Sequence, residues 1–267
     1  MPGPDLPLLA DAARAAGDIA MRFWRQNPQV WDKGGDHGPV TEADLAVNDM
    51  LKAILLSARP DYGWLSEETP DSPDRLSAQR VFILDPIDGT RAFVAGEDNF
   101  AVSLAVVEAG QVIAGAVMMP AKNRLYTGEI GGPALCNTGE IGGPALCNGL
   151  EIKAGTRGDL VGSNLLATKA NMEPTHWPGG VPDLKRSFRT SLAYRLCLAA
   201  EGRYDGMITF RDTWEWDIAA GSLICECAGA RVTDRTGVPL RFNSPGAMTS
   251  GVIATNPALH KAIMARL

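Results

Sequence analysis

The strongest restriction on how this chain folds comes from a short apolar strand that runs into a carboxylate-rich turn. Val81–Leu84 is a β-rich run, and Asp85–Thr90 (DPIDGT) follows it directly. We expect the strand to end at Asp85-Pro, the turn to carry Asp88, and a helix to start near Thr90. Two carboxylates there can approach one cation, while amides at the helix start can receive an anion. The segment therefore implies a metal ion and a phosphate group together.

Three further acidic segments lie at the expected ends of helices and strands. They are Val40–Asp44 (VTEAD), Trp64–Glu68 (WLSEE) and Glu215–Asp217 (EWD). Each alone has an ordinary structural explanation: a capping box, a solvated charge pair, and a carboxylate that complements a helix dipole. Together the four segments favour a cation-binding site, because five or six carboxylates converging on one cleft would repel strongly unless cations neutralised them.

Motifs that the sequence lacks narrow the chemistry of such a cleft. The histidines His37, His176 and His260 are scattered, so Mg²⁺, or Mn²⁺ as a substitute, fits better than zinc. There is no Gly-x-Ser-x-Gly elbow, Walker loop or Gly-x-Gly-x-x-Gly turn. The formal charge of −6 argues against a nucleic-acid polymer as partner. Metal-assisted hydrolysis of a phosphate ester remains.

Apolar periodicity predicts a mixed α/β architecture with layers of helix and sheet. The expected order is helices at 9–23 and 47–55, strands at 81–84, 100–107 and 112–119, a helix at 191–201, a strand at 207–210, a helix at 212–228 and a strand at 231–233. We expect residues 1–267 to form a single domain with subdomains 1–155 and 156–267. Neither a signal peptide nor a membrane span is evident, so we expect a cytoplasmic protein.

An exact tandem repeat interrupts this pattern. Thr127–Asn137 reads TGEIGGPALCN, and Thr138–Asn148 repeats it without a change. Solenoids need several diverged units, so this repeat is interpreted as a recent duplication or a recording error that does not define the fold. We expect one copy to form a glycine-rich surface loop with no catalytic role.

The four acidic segments resemble the inositol monophosphatase superfamily of magnesium-dependent, lithium-sensitive phosphomonoesterases. They occur in the family's order and approximate spacing, and the resemblance runs from about Ala12 to Ala254. It implies an α/β (α+β) fold, namely the five-layer αβαβα sandwich of the inositol monophosphatase and fructose-1,6-bisphosphatase type. It also implies two or three Mg²⁺ ions per site, inhibition by Li⁺, and a homodimer.

The resemblance also assigns roles to individual residues. The implied metal ligands are Glu67, Asp85, the Ile87 carbonyl, Asp88 and Asp217. Asp44 and Thr90 are implied to orient and activate the attacking water, and the amides of Gly89 and Thr90 to bind the phosphate.

The sequence departs from the inositol monophosphatase pattern after the DGT motif. Arg91-Ala-Phe replaces the usual Thr-Asn-Phe and is closer to the Lys-Glu-Phe of the CysQ group of 3'(2'),5'-bisphosphate nucleotidases. We therefore expect a phosphatase that removes the 3'-phosphate of adenosine 3',5'-bisphosphate. Inositol monophosphate or histidinol phosphate is the alternative substrate, and a non-catalytic metal- or phosphate-binding module is the alternative of another class.

The second phosphate of such a nucleotide calls for a guanidinium that binds two oxygens at once. The candidates near the motifs are Arg91, Arg195 and Arg211, while the ring of Tyr194 or Trp214 could contact adenine. The competing interpretation is that these arginines are solvated and that the aromatic rings belong to the core.

Overall fold

The first half of the chain builds one large sheet and the helices that cover it. The computed structural model describes residues 4–34, 38–130 and 143–267. The elements in this half are α1 (Asp5–Phe23), β1 (Val30–Asp32), β2 (Pro39–Thr41), α2 (Glu42–Ala58), β3 (Gly63–Ser66), β4 (Arg80–Asp88), α3 (Thr90–Val94), β5 (Ala101–Glu108), β6 (Gln111–Met119), β7 (Arg124–Glu129), β8 (Leu146–Cys147) and β9 (Leu150–Glu151). Strands β3 to β9 lie side by side in chain order, and only the β3–β4 pair is parallel.

The second half builds a smaller sheet and three more helices. Its elements are β10 (Asn164–Leu166), β11 (Lys185–Ser187), α4 (Leu192–Ala200), β12 (Gly206–Thr209), β13 (Thr213–Trp214), α5 (Glu215–Cys227), β14 (Arg231–Thr233), β15 (Met248–Thr249), β16 (Val252–Thr255) and α6 (Pro257–Met264). The sheet has the order β11-β10-β12-β16-β14, so its strands do not follow chain order.

The layers alternate because each sheet buries both of its faces. α1 and α2 pack on one face of the large sheet, where Leu9, Leu51 and Phe82 are almost fully buried. α4 and α5 fill the space between the two sheets, and α6 covers the outer face of the small one. The two central helices approach closely at Gly221, where a Cβ atom would lie 2.7 Å from the Leu196 side chain. The predicted five-layer αβαβα sandwich is confirmed.

Two predicted boundaries were wrong. β4 does not end at Asp85 but continues to Asp88, because Asp88 pairs again with Ala101 after an irregularity in the ladder. Proline lacks the N–H that a regular ladder needs, which accounts for the interruption at Pro86. The last long helix starts at Glu215 rather than near residue 212, because the preceding residues pair with β15 as the strand β13.

The tandem repeat joins the paired strands β7 and β8. Thr127 at the start of the first copy pairs with Leu146 near the end of the second. The expected surface loop would lie mainly in residues 131–142, which are outside the described residues. No helix within the described ranges combines the length and the hydropathy that crossing a membrane requires.

Candidate active site

Three carboxylates from separate elements meet at one end of the large sheet. Glu67 directly follows β3, Asp85 lies in β4, and Asp217 is in the first turn of α5. One oxygen from each side chain lies within 4.8 Å of the others. Asp85 is buried, whereas Glu67 and Asp217 are half-buried and open to the cleft. The fold thus brings together residues that are 18 to 150 positions apart in sequence.

This carboxylate cluster, Glu67, Asp85 and Asp217, fits a hard cation. Burial raises the pKa of Asp85 well above its ordinary value, and Glu67, Asp88 and Asp217 raise it further. Burial and the charges of Asp88 and Glu67 raise the pKa of Asp217 in the same way. A site whose side-chain donors are all carboxylate oxygens suits Mg²⁺ or Mn²⁺ rather than a softer metal. A bound cation would relieve the repulsion that raises both pKa values.

Asp88 lines the same cleft and is held by the start of α4. Its Oδ2 accepts hydrogen bonds from Ser191 Oγ and from the Ala193 amide, both at 2.7 Å. Burial nevertheless raises the pKa of Asp88 to about 6, against the lowering effect of these two bonds. The predicted ligand Ile87 offers its carbonyl at the same strand end, where it accepts a hydrogen bond of 3.0 Å from Thr90 Oγ1.

Asp44 makes both sets of contacts that its two predicted roles require. Its Oδ2 accepts from the Thr41 amide at 2.8 Å and from Thr41 Oγ1 at 2.6 Å, which completes the capping box of α2. Its Oδ1 accepts from Thr90 Oγ1 at 3.3 Å. Burial raises the pKa of Asp44 to about 6. The capping box therefore orients the carboxylate so that its second oxygen reaches Thr90.

Gly89 makes the turn between β4 and α3 possible. Its φ of 96° lies in the left-handed region, and a Cβ atom would lie 3.0 Å from the Asn99 carbonyl oxygen. A side chain is thus excluded on both counts. α3 begins at the next residue, Thr90, as predicted.

Lys33 is a site residue that sequence analysis missed. Its Nζ lies 3.0 Å from Glu67 Oε1 and 2.6 Å from Glu68 Oε1. Burial lowers the pKa of Lys33, but the two glutamates outweigh that effect and raise it overall. Burial also raises the pKa of Glu68 to about 7. No motif around Lys33 indicates this contact, which joins residues 34 positions apart.

The cleft encloses about 390 Å³ and carries positive charge opposite the carboxylates. Arg91, Arg195 and Arg211 all line it, as does the aromatic ring of Phe188. Arg195 is 4% exposed and lies with its guanidinium 4.5 Å from the centre of the Phe188 ring. It donates to the Arg189 carbonyl at 2.6 Å. Burial lowers the pKa of Arg195 to about 10.

The structure does not bring the two predicted adenine-binding rings into this cleft. Tyr194 belongs to the core between the sheets, and its ring centre lies 5.6 Å from Lys122 Nζ. Trp214 stacks on Trp216 with 4.6 Å between ring centres and an interplanar angle of 8°. Neither residue is among those that line the cleft. Phe188 is the aromatic side chain that does line it, 45% exposed.

Comparisons with known proteins show which proteins this chain is similar to. An inositol-1-monophosphatase of Rhizobium meliloti (strain 1021) is 36% identical over 226 residues, which cover 84% of this chain and 82% of the relative. The 3'(2'),5'-bisphosphate nucleotidase CysQ of Escherichia coli (strain K12) is 28% identical over 245 residues, covering 89% of this chain and 93% of that protein.

The fold is also similar to a solved structure. The extragenic suppressor protein suhB of Bartonella henselae superposes with a TM-score of 0.79 at 28% identity, covering 98% of this chain and 97% of the other. Residues 5–267 match the sequence model of the Inositol monophosphatase family. The chain therefore belongs to the inositol monophosphatase family and is a metal-dependent phosphatase.

Proposed function

We propose that this protein is a Mg²⁺-dependent phosphomonoesterase that removes the 3'-phosphate of adenosine 3',5'-bisphosphate, giving AMP and inorganic phosphate. The observation that carries the proposal is the composition of the cleft. Its carboxylates suit cations that would bind one phosphate, and three arginines on its walls suit a second anionic group. A substrate with a single phosphate would have no second anionic group to pair with these arginines.

The residues that would hold two or three Mg²⁺ ions are Glu67, Asp85, Asp88 and Asp217 with the Ile87 carbonyl. When bound, Mg²⁺ supplies charge neutralisation for the ester phosphate and lowers the pKa of a nearby water. The amides of Gly89 and Thr90, two residues that line the cleft at the turn before α3, would bind phosphate oxygens.

Asp44 and Thr90 would move the proton of the attacking water. Thr90 Oγ1 has one proton and two acceptors within reach, Asp44 Oδ1 at 3.3 Å and the Ile87 carbonyl at 3.0 Å. When Thr90 donates to Asp44, the lone pairs of its Oγ1 are free to accept a proton from water. As Thr90 Oγ1 accepts that proton, it passes its own hydroxyl proton to Asp44. Oδ1 is the carboxylate oxygen of Asp44 that can receive it, because Oδ2 already accepts two bonds from Thr41. A relay of this kind accelerates hydrolysis by roughly two to four decades.

Arg195 is the principal candidate for the 5'-phosphate. Its guanidinium donates to two backbone carbonyls, those of Arg189 and Thr190, which fix its position. Among the described residues it forms no ion pair with a carboxylate within 4.0 Å, although its charge interacts at longer range with Asp88 and Asp217, so an anion could contact the guanidinium directly. A guanidinium held by carbonyls needs little reorganisation to bind a phosphate. Arg91 and Arg211 are exposed at the same cleft and would add charge without that fixed geometry.

Phe188, rather than Tyr194 or Trp214, is the aromatic residue that would contact the adenine ring. Its exposed ring lines the cleft beside Arg195, so a purine could stack on it while its phosphate contacts the guanidinium. An inositol ring offers no aromatic face and would gain less from this contact.

The test is a comparison of kcat/KM for adenosine 3',5'-bisphosphate, inositol 1-phosphate and histidinol phosphate under the same Mg²⁺ concentration. We expect the nucleotide to exceed the others by at least roughly tenfold, about 1.4 kcal/mol. The R195Q and F188L variants should lose that preference while keeping their rate on a monophosphate substrate. R186Q is the matched control, because Arg186 belongs to the same segment but does not line the cleft. Equal or reversed preference in the unmutated protein would favour the inositol phosphate alternative, which the Rhizobium relative also supports.

A further inference from the structure

Arg75 is a buried arginine that joins two distant parts of the chain. It is 2% exposed, and it donates to both carboxylate oxygens of Asp71, at 2.6 and 2.9 Å. It also donates to Asn243 Oδ1 at 2.6 Å and to the Ser244 carbonyl at 2.9 Å. Its backbone packs directly on β3, since a Cβ atom at Gly63 would lie 3.0 Å from the Arg75 Cα. The two bonds to Asp71 fix the guanidinium within the β3–β4 connection, and the two bonds to Asn243 and Ser244 join that connection to the Asn243–Ser244 turn.

Glu215 holds the other side of the same turn. It is fully buried, and its two oxygens accept from the Asn243 amide at 2.6 Å, the Ser244 amide at 2.9 Å and Ser244 Oγ at 2.6 Å. Asn243 has a φ of 60°, in the left-handed region that glycine and asparagine tolerate and that most other residues avoid. The turn is therefore held in an uncommon conformation by a carboxylate on one side and a guanidinium on the other.

This chain of contacts joins the two segments that carry Glu67 and Asp217. Asp71 lies four residues after Glu67, and Glu215 lies two residues before Asp217. Glu67 and Asp217 repel each other, and the segments that carry them belong to different elements. This repulsion acts to move the two segments apart when no cation is bound, and the contacts that join the segments oppose it, in addition to the ion pair of Glu67 with Lys33.

We propose that Arg75 and Glu215 are positioning residues, which act through the Asn243–Ser244 turn to hold Glu67 and Asp217 at the spacing that a cation needs. Neither residue lines the cleft, so neither touches the substrate. The inference rests on the part of the proposed function that makes these carboxylates cation ligands, and it is independent of the substrate.

The test is to measure Mg²⁺ binding to the purified protein, without substrate, by isothermal titration calorimetry. We expect R75Q and E215Q to weaken Mg²⁺ binding by roughly tenfold, the usual effect of removing a residue that orients a metal ligand. At saturating Mg²⁺ their kcat should stay within about threefold of the unmutated value, because the ligands themselves remain. The double variant should bind Mg²⁺ no more weakly than the worse single variant, since both act through one turn.

A matched control separates positioning from general loss of stability. Arg59 is also buried, and it binds Asp5 at 2.9 Å to tie α1 to the end of α2. R59Q should lower the melting temperature and leave the Mg²⁺ affinity unchanged. If R75Q and E215Q do not fold, N243G is the decisive variant. Glycine keeps the left-handed turn and the backbone amide donor to Glu215, but it removes one of the two acceptors that Arg75 has in this turn, Asn243 Oδ1. N243G should weaken Mg²⁺ binding roughly two- to threefold.

Two results would overturn the inference, and they are distinguishable. If the unmutated protein binds Mg²⁺ and R75Q, E215Q and N243G bind it equally well, the positioning role is wrong and the proposed function is unaffected. If the unmutated protein binds no Mg²⁺, the proposed function fails and the inference fails with it.

Discussion

Replacing Asp217 by asparagine should make the metal-free protein more stable while it abolishes catalysis. Two unit charges 4.8 Å apart repel by about 3 kcal/mol at an effective dielectric constant of about 20. Asp217 faces Glu67 and Asp85, and the pKa values of Asp85 and Asp217 are both raised, so proton binding to either of these two carboxylates would relieve part of the repulsion. Asp217 also complements the dipole at the start of α5, a contact worth about 0.3–1 kcal/mol that asparagine loses. The net gain expected for D217N is about 1–3 kcal/mol.

The assay is thermal unfolding in EDTA at pH 8. A gain of this size raises the melting temperature by about 2–8 °C for a chain of this length. D61N, at an exposed surface carboxylate, is the control and should unfold with the unmutated protein. In saturating Mg²⁺ the unmutated protein should gain stability that D217N does not, because only a native state that binds the ion is stabilised.

The stability gain of D217N should depend on pH, in a direction that follows from the raised carboxyl pKa values. A carboxyl group whose pKa is raised on folding binds its proton more tightly in the native state, so it destabilises the fold as pH rises through that range. The advantage of D217N should therefore shrink in acid, where protonation relieves the repulsion in the unmutated protein. If D217N is no more stable than the unmutated protein in EDTA at pH 8, or keeps its Mg²⁺-dependent turnover, the reasoning about the carboxylate cluster is wrong.

Three further predictions concern the relay, a second buried carboxyl group and the repeat. T90A should lower kcat by roughly two to four decades, with a smaller effect on Mg²⁺ affinity. D44N should lower kcat in the same way and should also lose stability, because its capping box is weakened. If D44N loses stability but keeps its kcat, Asp44 is only a helix cap. Burial raises the pKa of Glu226 to about 7, so E226Q should be more stable than the unmutated protein by about 1–3 kcal/mol at pH 8 and no more stable near pH 4. Melting curves at both pH values, with E173Q as the control, measure this difference. Deleting Thr138–Asn148 should leave melting temperature and turnover nearly unchanged, because the remaining copy regenerates both paired strand ends and loop length has little effect on stability; a large loss of either would show that the second copy is integrated.

The positions of the acidic residues in the fold could be predicted from the sequence because each follows a local signal. Asp85 follows an apolar run and lies within β4, Asp44 completes the capping box at the start of α2, and Asp217 lies in the first turn of α5. The capping pattern and the catalytic pattern looked like competing explanations for Asp44. They are compatible, because a carboxylate has two oxygens and the cap uses only one.

The substrate side of the cleft could not be predicted in the same way. All nine residues of α4 are buried because the helix lies between two sheets, so no apolar stripe distinguishes its faces. Tyr194 therefore turned out to pack in the core while its neighbour Arg195 reaches the cleft. Lys33 and Phe188 lie in segments without a motif, and only the tertiary fold brings them to the site.

The most direct test of the proposed function is to follow adenosine 3',5'-bisphosphate by phosphorus NMR with the purified protein, first in EDTA and then after addition of Mg²⁺. We predict no reaction in EDTA, and release of inorganic phosphate after Mg²⁺ with AMP, the 5'-phosphate, as the only nucleotide product. Adenosine 3'-phosphate as the product would reverse the assignment of the two phosphate sites. Turnover in EDTA, or none with Mg²⁺, would contradict the proposed reaction.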